Sequence, residues 1–339
     1  MKPRHWIWSL AAVALSIAVS STTAPTELNA QSAPRPSVGT RTAAKPSNSP
    51  ISSLLVSGLQ GSSGSTIGPD GALYVTEGAV GTISRVDPQT GAKTTFATGL
   101  PPSIVGIGGA IDVAFLRGRA YVLVTLVGSD VGGSDVVGIY RMNSPTSFSP
   151  IADIGEFSID NPPDTQFDVP TGVQYALAPY RGGFLVTDGH HNRVLRVGLD
   201  GSVSESIAFG NIVPTGLELS GALVFMAEAG PVPHLPEDGK IVVFLPQRPF
   251  PIELASGGRL LVDVEFDRHH TLYALSQGVF TPGNPPGSPA EPNTGALLKA
   301  NLNGTFTEVI GGLNLPTSLE FVGNTAYVVT LGGEIWRID

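Results

Sequence analysis

The stretch Thr66–Glu77, TIGPDGALYVTE, consists of two short apolar runs on either side of a Pro-Asp-Gly turn. A third apolar run follows at Thr82–Asp87, and a fourth at Thr94–Leu100. Pro and Gly fix the backbone angles that a tight turn needs, and short apolar runs between such turns are typical of strands. The segment is therefore predicted to form four short antiparallel strands.

The second strand of this module recurs along the whole chain. The equivalent positions are Tyr74, Tyr121, Leu185, Phe225, Tyr273 and Tyr327, at intervals of 47, 64, 40, 48 and 54 residues. A four-stranded unit that repeats every 40–50 residues or so is typical of a β-propeller. We therefore predict an all-β fold, a six-bladed β-propeller, over residues 51–339.

The two ends of the chain are predicted to share a blade. The sixth copy has three strands and ends at Asp339, so its fourth strand is missing. A single unassigned strand, at about residues 52–59, precedes the first copy and resembles the fourth strands of other copies, such as Thr305–Leu313. Pairing this N-terminal strand with the C-terminal strands removes two free sheet edges.

Composition limits the classes of function. The chain has 339 residues, a net charge of −9 and no cysteine. The missing cysteines exclude disulfides, thiolate metal sites and thiol catalysis. The acidic balance argues against nucleic acid as a partner, since no basic stripe is present to neutralise phosphates. We expect one repeat domain, because each copy needs its neighbours to bury its faces.

The N-terminus has the pattern of an export signal. A short basic start containing Lys2 and Arg4 precedes 13 mainly apolar residues, Ile7–Val19, and then small residues. This run is too short to span a bilayer comfortably. We predict a signal peptide within residues 1–30, cleaved after about residue 20 or 30, and a Pro/Ser/Ala-rich tether at 31–50. The predicted location is secreted or periplasmic, with no membrane contact beyond the signal; an uncleaved anchor is the alternative.

The chain resembles the ScyD/ScyE family, exported propellers named after scytonemin pigment gene clusters and related to NHL and gluconolactonase-like propellers. The likeness covers about residues 52–339. The segments that carry it are Gly68–Glu77, Asp112–Phe115, Thr187–Gly189 with Asn192–Val197, Leu260–Asp267 and Leu315–Leu319. These motifs determine the fold more than an activity. The resemblance implies export and a role in the envelope or in secondary metabolism, and the family has no established catalytic mechanism.

Five carboxylates are predicted to meet at one face of the ring. First strands line a propeller's channel and second strands run back beside them, so first-strand starts and second-strand ends share a face. The acidic residues at these positions are Glu77, Asp112, Asp188, Glu228 and Asp263. Clustered carboxylates repel one another unless a proton, a hydrogen bond or a cation intervenes, and their oxygens suit Ca²⁺ or Mg²⁺. The alternative is structural: such acids accept hydrogen bonds from turns or brace neighbouring blades.

Two adjacent histidines are the candidate catalytic residues. His190 and His191 follow Asp188 in the loop between the second and third strands of blade III, at the same face. A histidine there is able to act as a general base or a metal ligand, or to be an inert turn residue. Long loops at 127–137, 230–239 and 277–295 are predicted to rise on this face, and such loops often carry binding.

Three hypotheses follow for the function, and the last of them is a purely structural envelope protein with no ligand. The first is a non-enzymatic binding or scaffold module, monomeric, whose loop-rich face binds a small molecule or an envelope protein. The second is a divalent-cation-dependent hydrolase or lyase, with the five carboxylates as ligands and His190 or His191 as the base. No Gly-x-Ser-x-Gly elbow, phosphate loop, dinucleotide fingerprint or His-Glu-x-x-His motif is present to decide for an enzyme.

Overall fold

The computed structural model describes residues 50–339 except 236, 247 and 286. The predicted signal peptide, residues 1–30, lies outside the described residues, as does the predicted tether, 31–50, except for its last residue. Among the described residues, no helix has both the length and the apolar character needed to cross a membrane.

Six four-stranded antiparallel sheets form the six blades of a β-propeller. The chain begins with β1 (Ser52–Val56), which belongs to the last blade. Blade I contains β2 (Ser62–Ile67), β3 (Leu73–Glu77), β4 (Thr82–Val86) and β5 (Lys93–Thr98). Blade II contains β6 (Gly109–Leu116), β7 (Arg119–Thr125), β8 (Gly138–Ser144) and β9 (Ser147–Asp153). Blade III contains β10 (Gln174–Tyr180), β11 (Gly183–Asp188), β12 (Arg193–Val197) and β13 (Val203–Ala208).

The second half of the ring repeats this order. Blade IV contains β14 (Pro214–Ser220), β15 (Leu223–Glu228), β16 (Gly239–Leu245) and β17 (Arg248–Gly258). Blade V contains β18 (Leu261–Phe266), β19 (Leu272–Ser276), β20 (Gly295–Ala300) and β21 (Phe306–Leu313). Blade VI contains β22 (Pro316–Val322), β23 (Thr325–Thr330), β24 (Ile335–Ile338) and β1. Helical structure in the described chain is limited to a 3₁₀ turn, Ser129–Val131, and α1 (Ile154–Asp160).

The predicted closure of the ring is confirmed. Strand β1 pairs with β24 in the antiparallel sense, with Ser52 opposite Ile338 and Leu54 opposite Trp336. The strand is shorter than predicted, because it ends at Val56, although the Leu59 N–H still donates to the Gly333 carbonyl at 3.0 Å. The first and last strands of the described chain thereby pair within one blade and close the ring.

The aromatic residue found in five of the six second strands explains why the repeat can be recognised in the sequence. Tyr74 packs edge-on against Phe115 of the next blade, with ring centroids 4.8 Å apart. Phe225 and Phe266 form the equivalent contact between blades IV and V, at 4.9 Å. Six buried apolar clusters, one at each junction, contain residues from both adjoining blades. Burial between blades is the main source of stability, because the repeats cannot bury these faces alone.

Candidate functional site

Every first strand carries a β-bulge near its start. In each of the six blades, the pairing register between the first and second strand shifts at this point. A bulge leaves extra residues unpaired and redirects their side chains. The residues at the shifts include Ser63, Gly64, Ile111, Tyr175, Thr215, Val262 and Thr317, and all seven line one cavity at the mouth of the channel. The bulged residues of the first strands therefore form the wall of the cavity at the mouth of the channel.

Threonine hydroxyls hold four of the six blade junctions at the level of the bulges. The Thr76 hydroxyl donates to the Ile111 carbonyl of blade II at 3.2 Å, and that of Thr187 to the Thr215 carbonyl of blade IV at 2.7 Å. Thr215 and Thr317 make the same kind of bond, to the Leu261 carbonyl at 2.9 Å and the Ser63 carbonyl at 2.9 Å. These bonds fix the mouth residues relative to one another.

Asp112 and Asp263 hold the two remaining junctions. The Asp112 carboxylate accepts the Leu177 N–H of blade III at 2.7 Å. The Asp263 carboxylate accepts the Leu319 N–H of blade VI at 2.8 Å. Each carboxylate also accepts the N–H of the residue that follows it. These contacts are those of the structural alternative, in which acids at first strands brace the next blade.

The mouth cavity has a volume of about 180 Å³. Its described lining contains no Asp, Glu, Lys or Arg. The polar groups facing it come from neutral side chains, among them Gln174, Gln277 and Tyr175. Two of the predicted long loops reach the cavity, through His234 and through Gly287–Pro289, whereas the loop at 127–137 does not supply lining residues. An apolar cluster of Val213, Ala229, Leu260, Phe280 and Ala290 packs beneath these loops.

His234 lines the mouth cavity, although it is not among the predicted catalytic residues. Its side chain is only 5% exposed and packs edge-on against Phe280, with ring centroids 5.1 Å apart. Its Nδ1 atom has no hydrogen-bond partner among the described residues. Burial and the nearby His190 lower the pKa of His234, so the ring is neutral at pH 7. The composition of the Pro-rich loop gave no signal that this histidine would be buried.

The two adjacent histidines that were predicted as catalytic have different surroundings in the structure. His190 is half-buried, and its Nε2 lies 3.4 Å from the hydroxyl of the cavity residue Tyr175. A Cβ atom at Gly287 would lie 3.4 Å from the His190 ring, so His190 stands just behind the cavity wall. Burial lowers the pKa of His190, and burial with the Asp188 charge raises that of Tyr175 to about 12.

His191 is engaged within the protein through both ring nitrogens. Its Nε2 donates to the Val169 carbonyl at 3.0 Å, and its Nδ1 lies 3.1 Å from Asp188 Oδ2. The side chain is 1% exposed and does not line the mouth cavity. This position gives His191 no route to a ligand at the mouth. Its catalytic assignment stays a prediction, and the geometry favours a structural role.

Asp188 and Arg193 form a buried ion pair beside His191. Arg193 Nε lies 3.0 Å from Asp188 Oδ2, and both side chains are almost completely buried. The other guanidinium nitrogens donate to the Asn161 carbonyl at 2.7 Å and the Ser158 hydroxyl at 3.0 Å. The pair therefore fastens the segment between blades II and III, including α1, to the end of blade III, and Asp188 already has a cation within the protein.

Glu77 and Glu228 occupy equivalent second-strand ends but have different surroundings. The Glu77 carboxylate accepts the Gln60 N–H at 2.8 Å and the Ser84 hydroxyl at 2.5 Å. Glu228 lies opposite Lys240 in the sheet, and burial raises its pKa to about 7. Neither lines the mouth cavity.

The five predicted carboxylates do not form one group. Over the described part of the chain, no set of three or more His, Asp or Glu side chains has an arrangement that would hold a metal ion. The predicted Ca²⁺ or Mg²⁺ site therefore stays a prediction, without a three-ligand cluster to support it.

A different set of acids lines the channel below the mouth. The cavity there is about 340 Å³ and is lined by Asp112, Asp263, Glu218, Glu265 and Glu320, with no Lys or Arg among the described lining residues. Burial raises the pKa of every one of these carboxyls, to about 7 for Glu218 and Asp263 and well above the usual value for the other three. The predicted set contains only Asp112 and Asp263 of these five, since Glu218, Glu265 and Glu320 lie farther along their first strands.

Solved structures with the same fold include several enzymes. The PQQ-bound form of an aldose sugar dehydrogenase from Streptomyces coelicolor superposes with a TM-score of 0.60 at 14% identity, over 86% of this chain and 98% of that chain. A gluconolactonase from Xanthomonas campestris gives 0.59 at 12% identity, over 86% and 90%. A virginiamycin B lyase from Staphylococcus aureus gives 0.50 at 14% identity, over 85% and 98%.

The sequence comparisons give no family name. No family model matches the chain, and no curated protein matches it. At 12–14% identity, likeness to the solved structures concerns the fold and not the chemistry. By fold, the chain is a six-bladed β-propeller similar to the gluconolactonase-like propellers.

Proposed function

We propose that the protein is an exported binding module of the ScyD/ScyE type, which binds a small uncharged molecule at the mouth of its channel. The basic and apolar pattern of residues 1–30 supports export to the periplasm or beyond. The motifs quoted for the ScyD/ScyE resemblance support the family. The mouth cavity supports the binding role.

The observation that carries this proposal is the neutral lining of the mouth cavity. A charged ligand placed there would lose its hydration without meeting an opposite charge, which is costly. An uncharged ligand loses little and gains apolar contact. The rim adds apolar surface, because Ile107 lines the cavity and is 43% exposed, and Leu235 beside His234 is 56% exposed.

Three single-ring compounds of similar size test the proposal: benzyl alcohol, benzoate and benzylamine. We expect the purified protein to bind benzyl alcohol, and to bind the anion and the cation at least tenfold more weakly, as measured by ligand-observed NMR titration. Ile107→Arg places a long cation at the rim and should abolish binding of benzyl alcohol. Ile104→Arg is the matched control, since Ile104 is equally exposed on the same loop but does not line the cavity.

Two results would contradict the proposal. One is that none of the three compounds binds. The other is that Ile107→Arg and Ile104→Arg leave the same affinity, which would place binding elsewhere on the surface. Either result would direct the search to envelope proteins as partners of this face.

A divalent-cation-dependent hydrolase or lyase is the second candidate, and the acidic channel is the observation that favours it. Asp112 and Asp263, from the predicted ligand set, line the channel with three further carboxylates and no described basic side chain. Carboxylate oxygens are the ligands that Ca²⁺ and Mg²⁺ prefer. Glu77 and Asp188 fit this role poorly, because donors within the protein already occupy their oxygens. His190 is the better placed of the two histidines to serve as a base.

Thermal unfolding with EDTA, Ca²⁺ or Mg²⁺ separates the two candidates. An ion that binds the folded state raises its stability by roughly 2.7 kcal/mol at a hundredfold excess over Kd. For a channel site the rise should appear at pH 8 and vanish at pH 5, where the channel acids are protonated. No rise at either pH would eliminate a cation-dependent enzyme and leave the binding module.

A further inference from the structure

Each first strand is entered through a residue whose backbone lies in the left-handed region, with φ between 42° and 85°. Blades I, II and III use a glycine, for which a positive φ has no steric cost: Gly61, Gly108 and Gly172. Blades IV, V and VI use a bulky apolar residue instead: Val213, Leu260 and Leu315. A bulky side chain strains the backbone there, so some contact of that side chain has to outweigh the cost.

Val213 and Leu260 combine this strained backbone with a place in the wall of the mouth cavity. Leu260 is 8% exposed and Val213 is 3% exposed, so each bounds the cavity with a small part of its surface. Both belong to the apolar cluster beneath the Pro-rich loops, and Leu315 packs against the same cluster without lining the cavity. Packing under the loops therefore applies to all three side chains, whereas only Val213 and Leu260 of the three also limit the cavity.

The cavity has two unlike walls. Blades I and II supply mainly small residues, among them Gly61, Ser63, Gly64, Ala79, Gly106 and Gly108. The opposite wall, from blades IV and V, carries the branched side chains of Val213, Leu260 and Val262. The space between them is about 180 Å³, and an engineered apolar cavity of about 150 Å³ holds benzene. One ring therefore fits against the apolar wall.

We propose that Val213 and Leu260 are specificity-determining residues, whose side chains contact the apolar flank of the ligand and limit it to one ring. The inference rests on the proposed binding function and specifies the class of ligand, a compact uncharged single-ring compound. Glycine would relax the backbone at both positions but would leave this wall open. A substituent on the ring then points toward blades I and II, whose small residues leave room for it.

Benzyl alcohol and its 2-, 3- and 4-isopropyl derivatives test the size limit. We expect the unaltered protein to prefer benzyl alcohol to all three derivatives in ligand-observed NMR titrations. Leu260→Gly keeps the turn and removes the isobutyl group. At least one derivative should then gain about 4–10-fold relative to benzyl alcohol, since each buried methylene contributes roughly fourfold. Val213→Gly removes one carbon fewer and should shift the same ratio by less.

Leu315→Gly is the matched control, because Leu315 has the same left-handed backbone and packs against the same cluster without lining the cavity. It should lower the melting temperature, as Leu260→Gly does, but leave the size preference unchanged. If a glycine variant does not fold, the alanine variant at the same position replaces it.

An unchanged ratio in Leu260→Gly, or an equal shift in Leu315→Gly, overturns the inference. If benzyl alcohol nevertheless binds at the site blocked by Ile107→Arg, this inference fails and the proposed function stands. If none of the four compounds binds, both fail.

Discussion

Carboxylates are buried in two regions of this propeller, and the two regions neutralise them differently. At the end of blade III, Asp188 lies 3.0 Å from the Arg193 guanidinium, and neither side chain reaches solvent. In the channel, Glu218, Glu265 and Glu320 line a cavity in which the described residues supply no cation. In the first region the carboxylate is neutralised by an arginine. In the channel the carboxylates must stay protonated or bind a cation as pH rises.

The comparison shows that acidic residues at similar positions of the repeat can have different surroundings and different roles. Asp188 forms an ion pair within the protein because the chain carries its counter-charge five residues later, on the neighbouring strand β12. Asp112 and Asp263 are intermediate, since they brace neighbouring blades through N–H donors and also face the channel. Glu218 and Glu265 also have raised pKa values, but among the described residues they accept hydrogen bonds only from the N–H of the residue that follows, so their protonation state is freer to respond to pH.

Removal of Arg193 should have the largest effect. Arg193→Met leaves the Asp188 charge buried without its cation and frees the bonds to Ser158 and Asn161. Breaking one side of a buried pair costs about 3–5 kcal/mol, which we expect in the free energy of unfolding measured with urea. Arg196→Met, in the same strand but exposed, is the control and should cost less than about 1 kcal/mol. Equal losses in the two variants would refute the assignment of a buried pair.

The sequence was sufficient to predict the ring because its determinants repeat. The second-strand aromatic recurs in five of the six copies because it seals the junction to the next blade, as Tyr74 does against Phe115. The closing strand was predictable because its partner blade ended one strand short. The repeated aromatic residue and the missing fourth strand are periodic or local features, so both can be recognised in a single sequence.

The site was less predictable because its determinants are long-range. Arg193 lies only two residues after His191, but its partners Ser158 and Asn161 lie in a non-repeating insertion. Glu265 and Glu320 alternate with apolar residues in first strands, a pattern that does predict channel-facing side chains when the whole strand is considered. The unpaired nitrogen of His234 depends on how two Pro-rich loops pack, for which the sequence gives no periodicity.

Stability should fall as pH rises through the titration of three buried carboxyls in blades IV and V. The pKa values of Glu218, Glu228 and Asp263 are raised to about 7 in the folded protein, above their values in an unfolded chain. Folding therefore favours the protonated forms, and this stabilisation is lost between about pH 4.5 and pH 7.5. We expect each of these carboxyls to contribute up to about 2–3 kcal/mol to the drop in the free energy of unfolding from pH 5 to pH 8. A stability that rises over this window would contradict the raised pKa values.

A single amide substitution in the channel should recover part of that loss. Glu320→Gln removes one charge from a carboxyl whose pKa is raised by burial and by Asp263, Glu218 and Asp112. We expect a gain of about 1–2 kcal/mol at pH 8 and almost none at pH 5, measured by urea unfolding at both pH values. Glu308→Gln on the exposed strand β21 is the matched control and should give no pH-dependent change. A gain of equal size at both pH values would mean that packing, not charge, is responsible.

The smallest effect should come from neutralising both members of the ion pair together. Asp188→Asn with Arg193→Met removes the isolated charge that makes Arg193→Met costly, while the asparagine keeps hydrogen-bonding capacity toward the Val173 N–H, which Asp188 accepts at 3.2 Å. Replacing a whole buried pair by neutral groups is often close to neutral for stability, so the double variant should lie within about 1–2 kcal/mol of the unaltered protein. If it is as unstable as Arg193→Met alone, the loss arises from the contacts with Ser158 and Asn161, and the carboxylates of the two regions differ less than their surroundings indicate.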